Sequence, residues 1–314
     1  MDLQKVCQFL SDAQASGART VLVTVCAVEG SSMRNPGAIM GVCEDGRFEG
    51  SLSGGCIENA VVAEALEALN EGRSRVVRFG AGSAYLDIRL PCGGGLDLHF
   101  APLEGADLPA LCLDAVNQRA PFSLTVSPEG AEFEKGWQQT AFDAATGTGQ
   151  FGHWPRPRLQ IIGHGAGVEE LNRLALASGC ATRVLTPDER ISARLDRQGC
   201  DVHLLRRANE TGLLASDPWT AIIFLFHDHD WETQLMAHAF DRPHFYIGAM
   251  GGLRAHEQRL ANLRALGATD EKLMSLKAPI GMFHSSRDPQ TLALSTLAQV
   301  IQTYQQTDFE AALG

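Results

Sequence analysis

The feature that most constrains the fold of this chain is a glycine-rich turn between an apolar strand and a helical pattern, in "RLQIIGHGAGVEELNRLALASG" from Arg158 onward. Such a turn at the junction of a strand and a helix is typical of α/β units that bind phosphate groups. Further strands follow, with a helix over Glu232 to Phe240 and a last strand in "HFYIGAMGG". This alternation predicts a doubly wound parallel sheet over residues 156–314.

Three glycines in this turn, Gly163, Gly165 and Gly167, are candidates for contacts with a phosphate. Glycine lets backbone N–H groups approach a ligand closely, and a helix N-terminus favours an anion. Two residues depart from the dinucleotide fingerprint, because Val168 replaces its third glycine and Thr186 replaces the acidic residue after the second strand. The turn therefore predicts phosphate binding and leaves an NAD(P)-dependent oxidoreductase as an alternative.

The first half of the chain has a different pattern, which predicts a mixed α+β domain over residues 1–104. An amphipathic helix over residues 1–18 precedes a buried strand, "RTVLVTVCAVEG", and a hairpin that turns at Asp45 and Gly46. "IENAVVAEALEALNEG" has helical periodicity, and "YLDIRL" and "LDLHFAPL" are predicted strands. Residues 105–155 are predicted to be a connecting segment, with a possible hairpin in "PFSLTVSPEGAEFEKG" and a linker in "DAATGTGQFGHWPRPR".

Charge and cysteine content narrow the functional class. The chain has 26 basic and 37 acidic residues and a net charge of −11. This balance argues against a general nucleic-acid binder and against a protein held to anionic lipid. We find no apolar run of bilayer length and no secretory signal pattern, so we expect no membrane association. The eight cysteines form no C-x-x-C pair, which favours free thiols in a reducing cytoplasm.

One cysteine stands at the start of a predicted helix, in "GSLSGGCIEN". Gly54 and Gly55 precede Cys56, and Glu58 follows it. Free N–H groups and the helix dipole would lower the pKa of a thiol at this place and make it a better nucleophile or soft-metal ligand. Glu58 is close enough to relay a proton. Cys56 and Glu58 are therefore candidate catalytic residues; a small buried cysteine that closes a tight turn is the alternative.

Two further stretches in the first half carry candidate site residues. Cys92 in "PCGGG" is a second candidate catalytic thiol, since three successive glycines between strands indicate either close approach to a ligand or a β-bulge. Ser31, Ser32 and Arg34 in "EGSSMRNPGAIM" offer two hydroxyls and a guanidinium at the end of a strand. These donors suit a phosphate or another oxyanion, although an ordinary polar loop has the same composition.

In the second half, "FLFHDHD" places His227, Asp228 and His229 just beyond a predicted parallel strand. Open α/β sheets place ligand-contacting residues at this edge. Hydrogen bonds to a ligand or general acid–base chemistry need the fewest assumptions. A metal site, and with it a metal-dependent hydrolase that uses His227 and His229, is an alternative.

Taken in order along the chain, these stretches resemble the XdhC and CoxI family of xanthine dehydrogenase accessory factors. The resemblance rests on "EGSSMRNPGAIM", "GSLSGGCIE" and "CGGGLDL" in the first half and on "IIGHGAG", "FLFHDHD", "YIGAMGG" and "APIGMFHSSRDPQTLALSTLAQVI" in the second. It implies an N-terminal α+β domain of XdhC/CoxI type, followed by a C-terminal Rossmann-like domain with a doubly wound parallel sheet.

The resemblance also implies a function. Members of this family are understood to bind the molybdenum cofactor, as molybdopterin or its nucleotide form, and to promote its sulfuration with a cysteine desulfurase. They then deliver this cargo to an apo molybdenum hydroxylase of the xanthine dehydrogenase type. The protein would be a maturation chaperone rather than a catalyst in its own right, and we expect a homodimer. On this view Cys56 would meet the molybdenum or dithiolene end, and Ser31, Ser32 and Arg34 would lie near the polar or phosphate parts.

The second half departs from the family pattern at several places. A stretch that usually reads close to GSRR is Gly251-Gly252-Leu253-Arg254 here, and Arg254 is the basic residue it keeps as a candidate cofactor contact. The usual glycine turn, close to GAGHVG, reads GHGAGV. These differences predict that the second domain binds the cofactor in an altered way or mainly docks a partner.

Overall fold

The structure is a computed structural model of the chain. It describes residues 2–30, 32, 34–53, 55, 57–83, 93–105, 107–226, 229–283 and 287–313. The chain forms two compact units, Met1–Pro155 and Arg156–Gly314. Within the described residues, no helix has both the length and the apolar character needed to cross a membrane.

The first unit is built on a sheet of antiparallel strands in the order β3-β2-β1-β5-β4. Its strands are β1 (Thr20–Glu29), β2 (Ile39–Cys43), β3 (Phe48–Glu49), β4 (Arg75–Gly80) and β5 (Gly95–Leu103). Two helices, α1 (Asp2–Ala15) and α2 (Glu58–Glu71), pack on this sheet. The predicted helices, the buried strand and the hairpin are confirmed, whereas the predicted strand "YLDIRL" lies outside the described residues.

Alternation along β1 explains how one sheet supports two helices. Successive side chains of a strand point to opposite faces. Val21, Val23 and Val25 lie in the same buried cluster as the apolar residues of α2. Leu22 lies in the cluster on the other face, together with Leu10 of α1. The sheet is therefore covered on both faces, and its loops rather than its faces are available for function.

The rest of the first unit contains α3 (Leu108–Asn117) and a second sheet of four strands in the order β7-β6-β9-β8. The predicted hairpin is confirmed as β6 (Phe122–Ser127) paired with β7 (Gly130–Lys135). The stretch interpreted as a linker instead forms β8 (Ala141–Asp143) and β9 (Thr148–His153). Its glycines and polar residues make a hairpin turn, and the fully buried Phe151 anchors β9 in the core.

One end of the first sheet gathers the loops that carry the predicted site residues. Strands β1, β3 and β4 end there, and β2 and β5 begin there, because neighbouring strands are antiparallel. Three connections leave this end: the first loop (residues 30–38), the second loop (50–57) and the third loop (81–94). Residues 31, 33, 54, 56 and 84–92 of these loops lie outside the described part of the chain.

The second unit is a doubly wound sheet of five parallel strands, as predicted, in the order β12-β11-β10-β13-β14. The strands are β10 (Arg158–Gly163), β11 (Ala181–Thr186), β12 (Val202–Leu204), β13 (Thr220–Leu225) and β14 (Tyr246–Ala249). Around them lie α4 (Ala166–Ala177), α5 (Glu189–Arg197), α6 (His229–Ala239), α7 (Leu253–Ala265), α8 (Asp270–Ser275), α9 (Pro289–Gln306) and α10 (Phe309–Leu313).

The helices of the second unit cover both faces of its sheet. Buried residues of α4, α5 and α9 form a core with one face, and those of α6, α7 and α8 form a core with the other. Strand order reverses at β10, which pairs with β11 on one side and with β13 on the other. Such a reversal opens a crevice at the carboxyl ends of the strands, where ligands bind in open α/β sheets.

Candidate functional site

The first and second loops of the first unit are joined by Arg34. Its Nε donates a hydrogen bond to the carbonyl oxygen of Ser51 at 2.7 Å, and its backbone N–H donates to Ser32 Oγ at 3.1 Å. The structure thus brings together two predicted oxyanion-binding residues of the first loop with the glycine-rich second loop. Ser31 lies outside the described residues.

The first and third loops meet backbone to backbone. Gly30 has a φ of +76°, and a Cβ on it would lie 3.3 Å from the Cα of Gly94. Gly93 has a φ of +71°, which favours glycine over any other residue. Part of the glycine triple is therefore explained by chain packing. This packing places the residues that follow Cys92 beside the loop that contains Ser32 and Arg34.

Glu58 organises the second loop from within. It is only 6% exposed, and its carboxylate accepts hydrogen bonds from residues of the second loop, among them Ser51, Leu52, Ser53 and Ile57. Its Oε1 accepts from Ser51 Oγ (3.0 Å), Leu52 N (3.1 Å) and Ser53 N (3.0 Å). Its Oε2 accepts from Ser53 Oγ (2.8 Å) and Ile57 N (3.1 Å).

These contacts make Glu58 a strongly ionised group. Burial alone would raise the pKa of Glu58, but hydrogen bonds from Ser53, Ser51 and Gly55 outweigh it and lower the pKa from 4.5 to about 2. A proton relay works best with a pKa near the working pH. The geometry therefore favours a positioning role for Glu58 over the predicted relay.

The same contacts change how the start of α2 is understood. The backbone N–H groups of Leu52, Ser53 and Ile57 point to Glu58, so the anion held at this helix N-terminus is a carboxylate of the chain itself. These three groups do not offer themselves to a ligand phosphate. Gly55 has a φ of +109°, and among the described residues a Cβ on it would meet no atom within 4 Å.

Cys56 and Cys92, the two predicted catalytic thiols, lie outside the described residues. Six other cysteines are described, and five of them are buried. Burial raises the pKa of Cys26 to about 12 and raises that of Cys180, while a hydrogen bond with Cys7 and burial raise that of Cys112. These three thiols are therefore protonated and covered, which is the opposite of what a nucleophile or a metal ligand needs.

The first unit also has a cavity at a different place. A cavity of about 480 Å³ is lined by Gln14, Arg19, Leu103 and their neighbours. Arg19 precedes β1 and Leu103 ends β5, so this cavity lies at the opposite end of the sheet from the three loops. None of the predicted site residues lines it. We therefore assign the site by the chemistry of the loops.

The three glycines in the glycine turn of the second unit have different surroundings. A Cβ on Gly163 would lie 2.3 Å from the carbonyl oxygen of Leu225, so only glycine lets β10 and β13 end side by side. Gly165 precedes α4 with a φ of +85°, and within the described part of the chain it has no side-chain cap and a Cβ there would meet no atom within 4 Å. Gly167 lies in α4, and a Cβ on it would make ordinary van der Waals contact with Leu292 and Leu225. Gly165 is thus the glycine that opens toward a ligand.

The end of β11 does not offer the acidic group that a nicotinamide nucleotide needs. Thr186 is fully buried, and its Oγ1 accepts a hydrogen bond from Asp188 N at 3.2 Å. The carboxylate of Asp188 caps α5 by accepting from Arg190 N (2.8 Å) and Ile191 N (3.2 Å). The nearest carboxylate along the chain is therefore engaged in holding a helix.

The remaining predicted residues of the second unit follow β13 and β14. His227 and Asp228 lie outside the described residues, and His229 is the first residue of α6. Arg254 is exposed in the first turn of α7. Both helices begin at the carboxyl edge of the sheet. In the described part of the chain, no three histidine, cysteine or acidic side chains are grouped as metal ligands would be.

A buried ion pair between α6 and α7 is not among the residues predicted from the sequence. Arg259 and Glu232 are each about 1% exposed, and Arg259 Nε lies 2.8 Å from Glu232 Oε1. Arg259 Nη2 also donates to the carbonyl oxygen of Met250 at 2.7 Å. The pair links α6, α7 and the segment after β14. Its only sequence signal is a charged residue on the apolar face of each helix.

Fold and site together define an α/β protein with polar loops at one end of the sheet in its first unit and a Rossmann-type unit after it. Comparison with known proteins gives the family. The model of the XdhC and CoxI family matches residues 13–80, and that of the XdhC Rossmann domain matches residues 159–300. The molybdenum cofactor insertion chaperone PaoD of Escherichia coli (strain K12) is 34% identical over 316 residues, covering 98% of this chain and 91% of PaoD. The chain belongs to the XdhC and CoxI family.

Two further proteins are similar to the chain. The uncharacterized protein YqeB of Escherichia coli (strain K12) is 23% identical over 288 residues, which cover 87% of this chain and 41% of YqeB. A crystal structure described as a xanthine dehydrogenase from Bacillus halodurans superposes with a TM-score of 0.78 at 21% identity, covering 98% of this chain and 97% of that one. At this identity the superposition shows the fold of the whole chain.

Proposed function

We propose that this protein is an accessory protein for the molybdenum cofactor. It binds molybdopterin or its nucleotide form as cargo, protects it, supports its sulfuration and delivers it to an apo molybdenum hydroxylase of the xanthine dehydrogenase type. The similarity to a molybdenum cofactor insertion chaperone along nearly the whole chain supports this proposal. The observation that carries it is the joining of three loops, two of which contain a candidate thiol, at one end of the first sheet.

The donors of these loops suit the two ends of such a cargo. Hydroxyl and guanidinium groups, here of Ser31, Ser32 and Arg34, bind oxyanions and phosphates. Thiolates are ligands for soft metals and carriers of sulfur, which is the chemistry required of Cys56 and Cys92. In this proposal the thiols meet the molybdenum or dithiolene end, and the hydroxyls and Arg34 hold the polar end.

Glu58 supports this chemistry by holding the second loop in shape. It stays ionised far below neutral pH because its hydrogen bonds outweigh the effect of burial. Its negative charge also offsets the positive field that the helix dipole creates at the start of α2 and that would stabilise a thiolate. A reactive thiolate at position 56 would therefore need a nearby cation. Arg34, which is hydrogen-bonded to Ser51 of the same loop, is the candidate among the described residues.

The second unit has a candidate phosphate-binding place of its own. The first-turn N–H groups of α4 follow Gly165, and no side chain caps them. A phosphate placed there receives several backbone hydrogen bonds and the favourable field of the helix. Gly54 and Gly55 in the first unit, and His227, Asp228, His229 and Arg254 in the second, remain proposed contacts of the cofactor.

The same proposal names the partners. The apo enzyme receives the cofactor, and a cysteine desulfurase supplies the sulfur that the thiols pass on. We further propose a homodimer that works in the cytoplasm. Its action is that of a maturation chaperone, because binding, sulfur transfer and delivery require no turnover of a small-molecule substrate.

A test of the proposal is to purify the protein from cells that make molybdenum cofactor, denature it, and measure the fluorescence of the released pterin. We expect pterin to be retained by the wild type and strongly reduced in Cys56→Ser. Cys200→Ser is the matched control, since Cys200 is a half-buried thiol of the other unit. Wild-type protein that releases no pterin, or equal retention in all three proteins, would contradict the proposal.

A further inference from the structure

Arg78, in β4, connects the ends of three strands beside the third loop. Its Nε donates to the carbonyl oxygen of Ala81 at 2.7 Å. Its Nη1 lies 3.2 and 3.1 Å from the two carboxylate oxygens of Asp97 on β5. Its Nη2 binds the carboxylate of Glu29, the last residue of β1. All three nitrogens of one guanidinium are thus used at the edge of the proposed site.

The glycines around Arg78 are fitted to it. A Cβ on Gly95 would lie 2.6 Å from Arg78 Nη2 and 3.0 Å from the carbonyl oxygen of Ala81. A Cβ on Gly82 would lie 3.2 Å from Arg78 Nε. The backbone N–H of Ala81 donates to the carbonyl oxygen of Gly94 at 2.9 Å. The two ends of the third loop are therefore closed onto each other around this guanidinium.

The contribution of these contacts to folding stability does not by itself explain the arrangement. Arg78 is 30% exposed, and its partners Glu29 and Asp97 are 68% and 16% exposed; the surface pair with Glu29 contributes little to folding stability. A glycine triple also loses much conformational entropy when it is ordered. The contacts instead determine where the third loop leaves the sheet, next to Gly30 of the first loop.

We propose that Arg78 is a positioning residue for the cofactor site, because it fixes both ends of the third loop relative to the first. The proposal deepens the proposed function and rests on it. A lysine cannot take this role, since a single ammonium group cannot donate in three fixed directions to Ala81, Asp97 and Glu29. Arg78 thus shapes the site without itself contacting the cargo.

The experiment compares Arg78→Gln, Arg78→Lys and the control Arg73→Gln, an exposed arginine of the same segment. Hydrogen exchange of the Ala81 amide, alkylation of Cys92 by iodoacetamide, pterin retention and thermal unfolding are measured on each full-length variant. In both Arg78 variants we expect the Ala81 amide to exchange, and Cys92 to be alkylated, about tenfold faster than in the wild type. Local opening becomes easier in these variants, while global stability barely changes. Pterin retention should fall with them, and the Arg73 control should match the wild type.

A second variant tests the same contact from the other side. Gly95→Ala should reproduce the phenotype, and adding Arg78→Gln should make it no worse, because both changes act through one contact. Wild-type exchange in Arg78→Gln would overturn the positioning role, as would faster exchange with wild-type pterin retention. Absence of pterin from the wild type would instead refute the proposed function, while exchange and alkylation would still decide whether Arg78 orders the loop.

Discussion

Replacement of Glu58 by glutamine is the sharpest test of how the second loop is held. The pKa of Glu58 is lowered from 4.5 to about 2, and a difference of that size corresponds to about 3 kcal/mol of stability at neutral pH. Glutamine keeps an acceptor toward Leu52 N and Ser53 N, but its amide nitrogen would face the N–H of Ile57. We therefore expect Glu58→Gln to lower the free energy of unfolding of the first unit by about 3 kcal/mol at pH 7.

The pH dependence has a definite sign. The folded pKa lies below the unfolded one, so the unfolded chain takes up a proton first as the pH falls. The contribution of Glu58 is complete above pH 4.5 and disappears between pH 4.5 and about 2. The difference between wild type and Glu58→Gln should therefore shrink as the pH is lowered through this range.

Hydrogen exchange in increasing urea is the suitable assay, because it reports on peptides of the first unit separately from those of the second. Faster exchange of the Leu52, Ser53 and Ile57 amides is expected in the variant at pH 7. Glu67→Gln is the matched control on the same helix, since Glu67 is 61% exposed and binds only at the surface to Arg75. Equal stability of Glu58→Gln and Glu67→Gln at pH 7 would refute the reasoning.

Three other predictions concern the thiols, the nucleotide and a half-buried histidine. Cys56→Ser combined with Cys92→Ser should lower client enzyme activity no further than the more damaging single change, because residues that act as a unit are non-additive; clean additivity would indicate separate roles. Calorimetric titration should find weak binding of NAD and NADP, since Thr186 leaves NAD without a charge-assisted hydrogen bond worth roughly 1.5–3 kcal/mol; a low-micromolar constant that is lost in Gly165→Val would favour an oxidoreductase. Burial lowers the pKa of His153 from 6.5 to about 4, so the first unit should lose stability as the pH falls from 6.5 to 4, and His153→Phe should reduce this loss in urea titrations at pH 5 and pH 7.

Local patterns were sufficient to predict most of the elements. The four-residue recurrence of Ile57, Val61, Ala65 and Leu69 predicts α2, and all four side chains are buried against the sheet. The alternation of apolar strands with helices predicts the parallel sheet of the second unit. These properties depend on neighbours along the chain, so periodicity is enough to find them.

Contacts between distant residues could not be predicted in this way. Arg78 and Glu29 are 49 positions apart and meet only because β4 and β1 both flank β5. The role of Glu58 could not be predicted either. A carboxylate two residues after a cysteine suggests a proton relay, and only the structure shows the hydrogen-bond donors around it. The hairpin of β8 and β9 was interpreted as a linker because its turn residues outnumber its apolar ones, although Phe151 anchors it.

The carboxylate of Glu58, which holds residues of the second loop, has a consequence for the proposed release of the cargo. A loop that depends on its ligand for order must fold when the ligand arrives and unfold when it leaves, and each step adds a kinetic barrier. Here the chain supplies the anion itself, so Leu52, Ser53 and Ile57 are held in place whether or not cargo is present. Such preorganisation reduces the conformational difference between the empty and loaded forms of the loop. If the protein delivers its cargo as proposed, it gives up the cofactor to a tighter-binding recipient and takes the next one without refolding these residues.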